Sequence, residues 1–251
     1  MTQNPIRTVL STLSTCGVRF LLMGGQACIF YGAAEFSRDT DITLLAELPN
    51  LARLEAALAE LSAERIALPP FELTYLIKGH AVHFRCRRPD VSGMRLDVMA
   101  SMRGVDAFPA LWQRRTTVNL PGGETVDMLS LPDLVRAKKT QRDKNWPMVR
   151  RLVEAHHAQH EAEAAPAQVE FWLREARTPS LLVDLARRYP KATARLGRVR
   201  ALLQLAARGG AGGGVPQRER ESDYYRPLIR ELEEMWQVES QRKHEERNGT
   251  P

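Results

Sequence analysis

The sequence predicts an α/β (α+β) chain: a small mixed sheet with helices on one side up to about residue 130, followed by a region that is helical throughout. Two patterns carry that expectation. In residues 1–130, short apolar or alternating runs of strand length interleave with amphipathic stretches of helical period, whereas beyond 130 apolar residues recur only at helical spacing. Turn residues sharpen the division, because Pro121-Gly122-Gly123 sits between two short β-prone runs and reads as a hairpin.

Taken in order, residues 6–16 place Ile6, Val9, Leu10 and Leu13 on one helical face. Val18–Met23 reads as a buried strand, and Gln26–Tyr31 as a helix entered through Gly24-Gly25. Asp41–Leu45 is the second strand. Asn50 is the expected cap of a helix over Leu51–Ser62, with Leu51, Leu54, Leu58 and Leu61 in register. Val82–Arg87 alternates as a half-exposed strand does, and Ser92-Gly93 turns the chain into a strand over Arg95–Met99. Thr116–Leu120 and Glu124–Met128 form the hairpin. The helices expected after it cover Pro132–Thr140, Pro147–His160, Gln168–Arg177, Ser180–Arg188, Ala192–Arg208 and Asp223–Lys243. Glycines dominate 209–214 and mark a flexible linker. The division is therefore a core over 1–145, a helical region over 146–208, a Gly-rich linker over 209–216, and a charged helix and tail over 217–251.

Composition narrows the class. The 251 residues suffice for one large domain or two smaller ones. No apolar run approaches the roughly 20 residues that span a bilayer. The N-terminus lacks a basic stretch followed by an apolar one, so no signal peptide is expected. Cys16, Cys28 and Cys86 are scattered, odd in number and set in apolar or strand-like surroundings, which suits reduced core residues and a cytoplasmic protein. Residues 1–130 carry 13 basic and 13 acidic side chains and are neutral, so the whole formal charge of +6 lies in 131–251. Arg187, Arg188, Lys191, Arg195, Arg198, Arg200 and Arg208 follow one another with no acid between them. That run suits a nucleic-acid backbone, or a face paired with the acidic C-terminal helix through Glu231, Glu233 and Glu234. It has no interleaved aromatics for base stacking. His156, His157 and His160 have metal-like i, i+4 spacing, but their polar neighbours favour a solvated helix face.

The chemistry concentrates near the N-terminus. The apolar run Phe20–Met23 enters Gly24-Gly25, and fourteen residues after Gly25 come Asp39-Thr40-Asp41. Side chains at i and i+2 of a strand share a face, so Asp39 and Asp41 project together. Paired carboxylates raise each other's pKa unless a cation lies between them, and Mg²⁺ takes one or two carboxylates plus substrate phosphate oxygens. Asp97, in Arg95–Met99, faces away from Leu96 and Val98 and offers a third acid, or else a strand acid paired with Arg95 or Arg85. Three such acids suit two-metal phosphoryl chemistry, with Asp39 and Asp41 on the nucleotide-bound ion and Asp97 on the second, helping to deprotonate the attacking hydroxyl. Glycines at 24 and 25 permit close backbone approach to a triphosphate. Arg38 either neutralises a phosphate or pairs with Asp39 or Glu35.

This arrangement resembles the nucleotidyltransferase superfamily, the polymerase-beta-like fold, over roughly residues 8–145. Its signature is an apolar strand, Gly-Gly or Gly-Ser, a short helix, Asp-x-Asp, and a third Asp on a later strand, here Gly24, Gly25, Asp39, Asp41 and Asp97. The chain looks most like small bacterial nucleotidyltransferase-like proteins that include abortive-infection type toxins. Leu129–Leu134, Lys138 and Arg142-Asp143-Lys144 are similar to their helix bearing a lysine and a basic–acidic cluster. The resemblance implies a metal-dependent enzyme (Mg²⁺ or Mn²⁺) with an NTP substrate, ATP among the candidates, and with Lys138 reaching the phosphates. Gln26 stands where a hydroxyl residue is usual, and Asn145 where an acid often follows the lysine. The acceptor is an RNA, protein or small-molecule hydroxyl, and the basic second half favours RNA. A non-catalytic nucleotide-binding or regulatory partner of toxin–antitoxin type is the competing reading, and a nucleic-acid binder without nucleotide chemistry a third.

Overall fold

In the computed structural model, described over residues 5–34, 36–120, 123–139 and 145–207 together with 237, 238, 241, 242 and 245, a mixed sheet precedes a set of helices. The strands are β1 (Phe20–Met23), β2 (Asp39–Leu44), β3 (Ala63–Arg65), β4 (Val82–Cys86), β5 (Arg95–Met99), β6 (Thr116–Asn119) and β7 (Thr125–Met128). They form one seven-stranded sheet in the order β3-β4-β5-β2-β1-β7-β6. β2 runs parallel to β5, and β1 parallel to β7, while the other neighbours are antiparallel. All four residues of β1 are buried, as a central strand covered on both faces requires. Along β2 and β5, Thr40, Ile42, Leu44, Leu96 and Val98 are fully buried, whereas Asp39, Asp41, Arg95 and Asp97 on the opposite face are half-buried. That second face is where a polar site can form.

The helices in the sheet region are α1 (Pro5–Thr15), α2 (Gly24–Phe30), α3 (Leu48–Glu60), α4 (Leu73–Lys78) and α5 (Phe108–Gln113). α1 buries Val9, Leu10 and Leu13. α3 begins earlier than its pattern predicts, at Leu48, with Glu47 at the cap and Pro49 in the first turn, where a missing N–H leaves nothing unpaired. Asn50 is therefore not the cap. Its side chain is buried and accepts from the Arg19 N–H at 2.7 Å while donating to the carbonyls of Arg19 at 3.0 Å and Leu45 at 2.9 Å. It pins the start of β1 to the end of β2.

Beyond the sheet come α6 (Leu131–Lys138), α7 (Asn145–His160), α8 (Pro166–Glu175), α9 (Pro179–Arg188), α10 (Pro190–Leu196) and α11 (Ala201–Ala207). The single helix expected over 192–208 is split at Gly197, and the break lets Arg200 fold back. Its guanidinium donates to the carbonyls of Leu173 and Ala176 at the C-terminal end of α8, a position that favours a cation. Burial pushes Arg200 down to about 10. The Gly-rich linker and most of the expected helix over 223–243 lie outside the described residues. Among the described residues no helix is long and apolar enough to cross a membrane. Cys28 and Cys86 are buried and unpaired as expected, whereas Cys16 is half-exposed against Glu60.

The histidine helix departs from expectation. His156 is 8% exposed, not solvated. Its Nδ1 accepts from the indole N–H of Trp172 at 2.8 Å, its ring stacks on His160 at 4.4 Å, and Phe171 meets it edge-on. Burial first, then His160 and His157, push its pKa down to about 4. A folded pKa below the unfolded value of about 6.5 means that neutral His156 contributes fully above pH 6.5, and that this contribution is lost as pH falls towards 4. Urea unfolding should show the wild type losing about 2 kcal/mol more stability between pH 7 and pH 5 than His156→Phe, which is weaker at pH 7 because the Trp172 N–H loses its acceptor. Equal losses in both proteins would contradict the assignment.

Candidate active site

β1 delivers the chain into Gly24 and Gly25, the first residues of α2. Gly24 adopts φ +67°, and a Cβ there would overlap the Asp41 carboxylate. A Cβ on Gly25 would overlap the Ser37 side chain. Both glycines are thus required by how closely β2 and the segment before it pack on this turn. The Gly25 N–H donates to Asp41 Oδ2 at 3.3 Å. Gln26, the residue that departs from the expected hydroxyl, is buried and donates from Nε2 to the Ser37 carbonyl at 2.9 Å, while Ser37 Oγ donates to the Asp39 carbonyl at 3.2 Å. Its role here is to fasten the connection that leads into β2.

Strand register then assembles the acids. Met23 lies opposite Asp41, Asp41 opposite Asp97, and Asp97 opposite His83, on four neighbouring strands. Asp39 lies opposite Arg95 one step along the same face, and Arg95 opposite Arg85. Like charges directly opposed across strands destabilise a sheet. The consequence falls on Asp41, whose pKa is raised by burial first, then by Asp97 and Asp39, against the opposing pull of Lys138 and the Gly25 N–H. Lys138, at the end of α6, also acts electrostatically on Cys28 beneath the site. Its neighbour Lys139 points elsewhere and pairs with Glu175 of α8 at 2.7 Å.

Asp97 is held differently. Arg95 donates to both of its oxygens, from Nε at 3.1 Å and from Nη2 at 3.1 Å. His83 Nδ1 lies 2.8 Å from Oδ1 and 3.3 Å from Arg95 Nη2, so the three side chains form one cluster. The pairing with Arg95 that the sequence offered as the alternative role for Asp97 is therefore present, with His83 added. Arg38 is exposed, forms no ion pair among the described residues, and lies over the Phe36 ring at 5.9 Å from its centroid. Strand register thus brings Asp39, Asp41 and Asp97 to one sheet face beside Gly24 and Gly25, with Lys138 within electrostatic reach of Asp41 and Arg38 next to Asp39 in the chain. Arg142, Asp143 and Lys144 lie outside the described residues.

Among the described residues no group of three or more His, Cys, Asp or Glu side chains converges in a metal-ligand arrangement. Asp39 and Asp41 are the residues suited to a hard divalent cation, being oxygen donors whose mutual repulsion a cation would offset. A cleft of about 920 Å³ lies on another side of α6, among Arg103, Asp106, Arg114, Asp133, Lys139 and Glu175, and none of the three acids lines it.

No protein-family model matches the sequence, and no curated protein does. Among solved structures, the chain is similar to ANT(2'')-Ia crystallised in complex with adenylyl-2''-tobramycin, at 13% identity and a TM-score of 0.35, covering 79% of this chain and 94% of that one. It is also similar to a candidate nucleotidyltransferase from H. pylori, at 12% identity and a TM-score of 0.38, covering 92% and 94%. Likeness of that degree leaves the site's own geometry as the ground for its chemistry.

Two substitutions test that geometry. Gly24→Ala should destabilise the fold by more than about 2 kcal/mol, combining left-handed strain with a clash against Asp41, as measured by thermal or urea unfolding. Asp41→Asn should raise the thermal midpoint of the metal-free protein at neutral pH. A folded pKa above the unfolded one means the ionised carboxylate costs stability once pH has risen through it. A lower midpoint for Asp41→Asn would contradict the electrostatic account.

Proposed function

We propose that the chain is a nucleotidyltransferase that moves a nucleoside monophosphate from an NTP to an acceptor hydroxyl with the help of Mg²⁺ or Mn²⁺. The observation that carries this reading is the opposed pair Asp41 and Asp97, with Asp39 one step along the same face and Lys138 within electrostatic reach. Three acids on a half-buried sheet face, with a lysine within electrostatic reach, suit a polyanionic substrate accompanied by a hard cation.

Asp39 and Asp41 would hold the cation, which when bound would neutralise the phosphate oxygens and the charge that develops on them. Lys138 would add a point charge to the phosphates. The acceptor oxygen forms its bond to the α-phosphorus as the bond to the bridging α,β-oxygen breaks and pyrophosphate leaves. Asp97, fixed in orientation by Arg95 and His83, would take the acceptor's proton. Catalysis of this kind depends on positioning and charge neutralisation more than on covalent help.

RNA is the acceptor class we favour. Arg187, Arg188, Lys191, Arg195 and Arg198 are exposed on α9, α10 and the turn that follows. Arg195 pairs with Glu170 at 2.8 Å and Arg188 lies near Glu161 at 4.0 Å. Arg200 is half-buried with its guanidinium on α8 and leaves this surface, while Arg208 and the acidic residues expected opposite lie outside the described residues. The basic face is thus partly neutralised and still positive.

The test is incubation with each of the four α-³²P-labelled NTPs, Mg²⁺ or Mn²⁺ and total cellular RNA. Label should enter RNA with the wild type and not with Asp39→Asn/Asp41→Asn. Label in protein or a small molecule would keep the enzyme and replace the acceptor. Equal labelling by the variant would overturn the assignment of the acids.

A further inference from the structure

Phe36 is an oddity of this fold. Its ring is 70% exposed, far more than a large apolar side chain near a polar site gains from. A single exposed aromatic is ordinarily unremarkable, but three observations set this one apart. It stands three residues before Asp39 and five before Asp41, in the connection that feeds both acids into β2. The next residue, Ser37, is fastened on two sides, by Gln26 through its carbonyl and by its own hydroxyl to the Asp39 carbonyl. Arg38 lays its guanidinium over the Phe36 ring, 5.9 Å from its centroid, so two exposed side chains beside the acids already form one stack.

We propose that Phe36 and Arg38 form a stacking platform for the nucleobase of the NTP, an inference that rests on the nucleotidyltransferase reading above. Reach is consistent with it. Three residues of chain span at most about 10 Å, so the Phe36 backbone lies within a nucleotide's length of the acids. Chemistry is consistent as well. An exposed aromatic face with a guanidinium against it is a surface on which a π system stacks, and every base presents such a face. A planar, weakly hydrated guanidinium suits this role better than an ammonium would. Arg38 is thereby a base contact and not the phosphate ligand its position beside Asp39 first suggests. Stacking of this kind tolerates sequence, so selectivity among bases at this platform follows stacking strength and favours purines.

The experiment is calorimetric binding of the four Mg-NTPs and of Mg-tripolyphosphate, which has the phosphates and no base, to the wild type, Phe36→Ala and Phe36→Trp. Phe36→Ala should bind the preferred NTP about 10- to 100-fold more weakly with tripolyphosphate affinity unchanged, and Phe36→Trp should bind the NTP at least as tightly as the wild type, with its added indole fluorescence quenched. Phe36→Ala binding the NTP as the wild type does would overturn the platform and leave the nucleotidyltransferase reading standing. Equal weakening for NTP and tripolyphosphate would overturn it too, by showing that Phe36 supports the phosphate site alone. Failure of the wild type to bind any NTP would overturn both.

Discussion

Parallel pairing of β2 with β5 puts two carboxylates, Asp41 and Asp97, directly across from one another on a half-buried face, and most of the surrounding structure can be read as a response to that repulsion. Asp97 is held by a guanidinium and an imidazole from its own side of the sheet. Asp41 has no such partner among the described residues. It receives one backbone N–H, from Gly25, and the distant influence of Lys138, and it remains an acid with a raised pKa. The asymmetry is informative. A site evolved only for stability would place an apolar residue or a second arginine at Asp41. A site that must receive a cation and a polyphosphate leaves that position short of positive charge.

The positive charge that does reach Asp41 depends on how α6 is set. Asp133, in the first turn of α6 and almost fully buried, accepts from Arg114 Nε at 2.6 Å and Nη2 at 2.9 Å and from the Ser130 hydroxyl at 2.6 Å. Those bonds fix where the helix starts, and eight residues of helix then fix where Lys138 ends. Lys139, one residue on and about 100° around the helix, turns instead to Glu175. Two adjacent lysines thus serve two purposes, one acting on Asp41 and the other tying α6 to the helical region, and Arg200 tightens that region by capping α8 from the turn between α10 and α11.

Legibility in the sequence followed the range of the interactions. Strands and glycines that announce themselves locally were readable: the apolar run into Gly24-Gly25, the Asp-x-Asp, and the hairpin around Pro121. The six-residue helices α4 and α5 and the three-residue strand β3 are too short for periodicity to reveal. His83 could not be read as a partner of Asp97, because only strand register brings them together, and register is a non-local property. The burial of His156 is non-local in the same way. A polar helix does not disclose which of its faces meets Phe171 and Trp172 of the next one. Asn50 has the chemistry of a cap, and only its neighbours β1 and β2 show that its amide closes a strand end instead.

The central claim is that Asp39 and Asp41 wait for a divalent cation delivered with a nucleotide. The most direct measurement is a Mn²⁺ titration followed by the electron paramagnetic resonance signal of free Mn²⁺, in the presence of a non-hydrolysable α,β-methylene NTP with and without protein. The account predicts that the protein tightens retention of Mn²⁺ well beyond what the nucleotide alone achieves, and that Asp41→Asn, folded and at least as stable, does not. Mn²⁺ retention equal to that of the free nucleotide, or equal in wild type and variant, would contradict it.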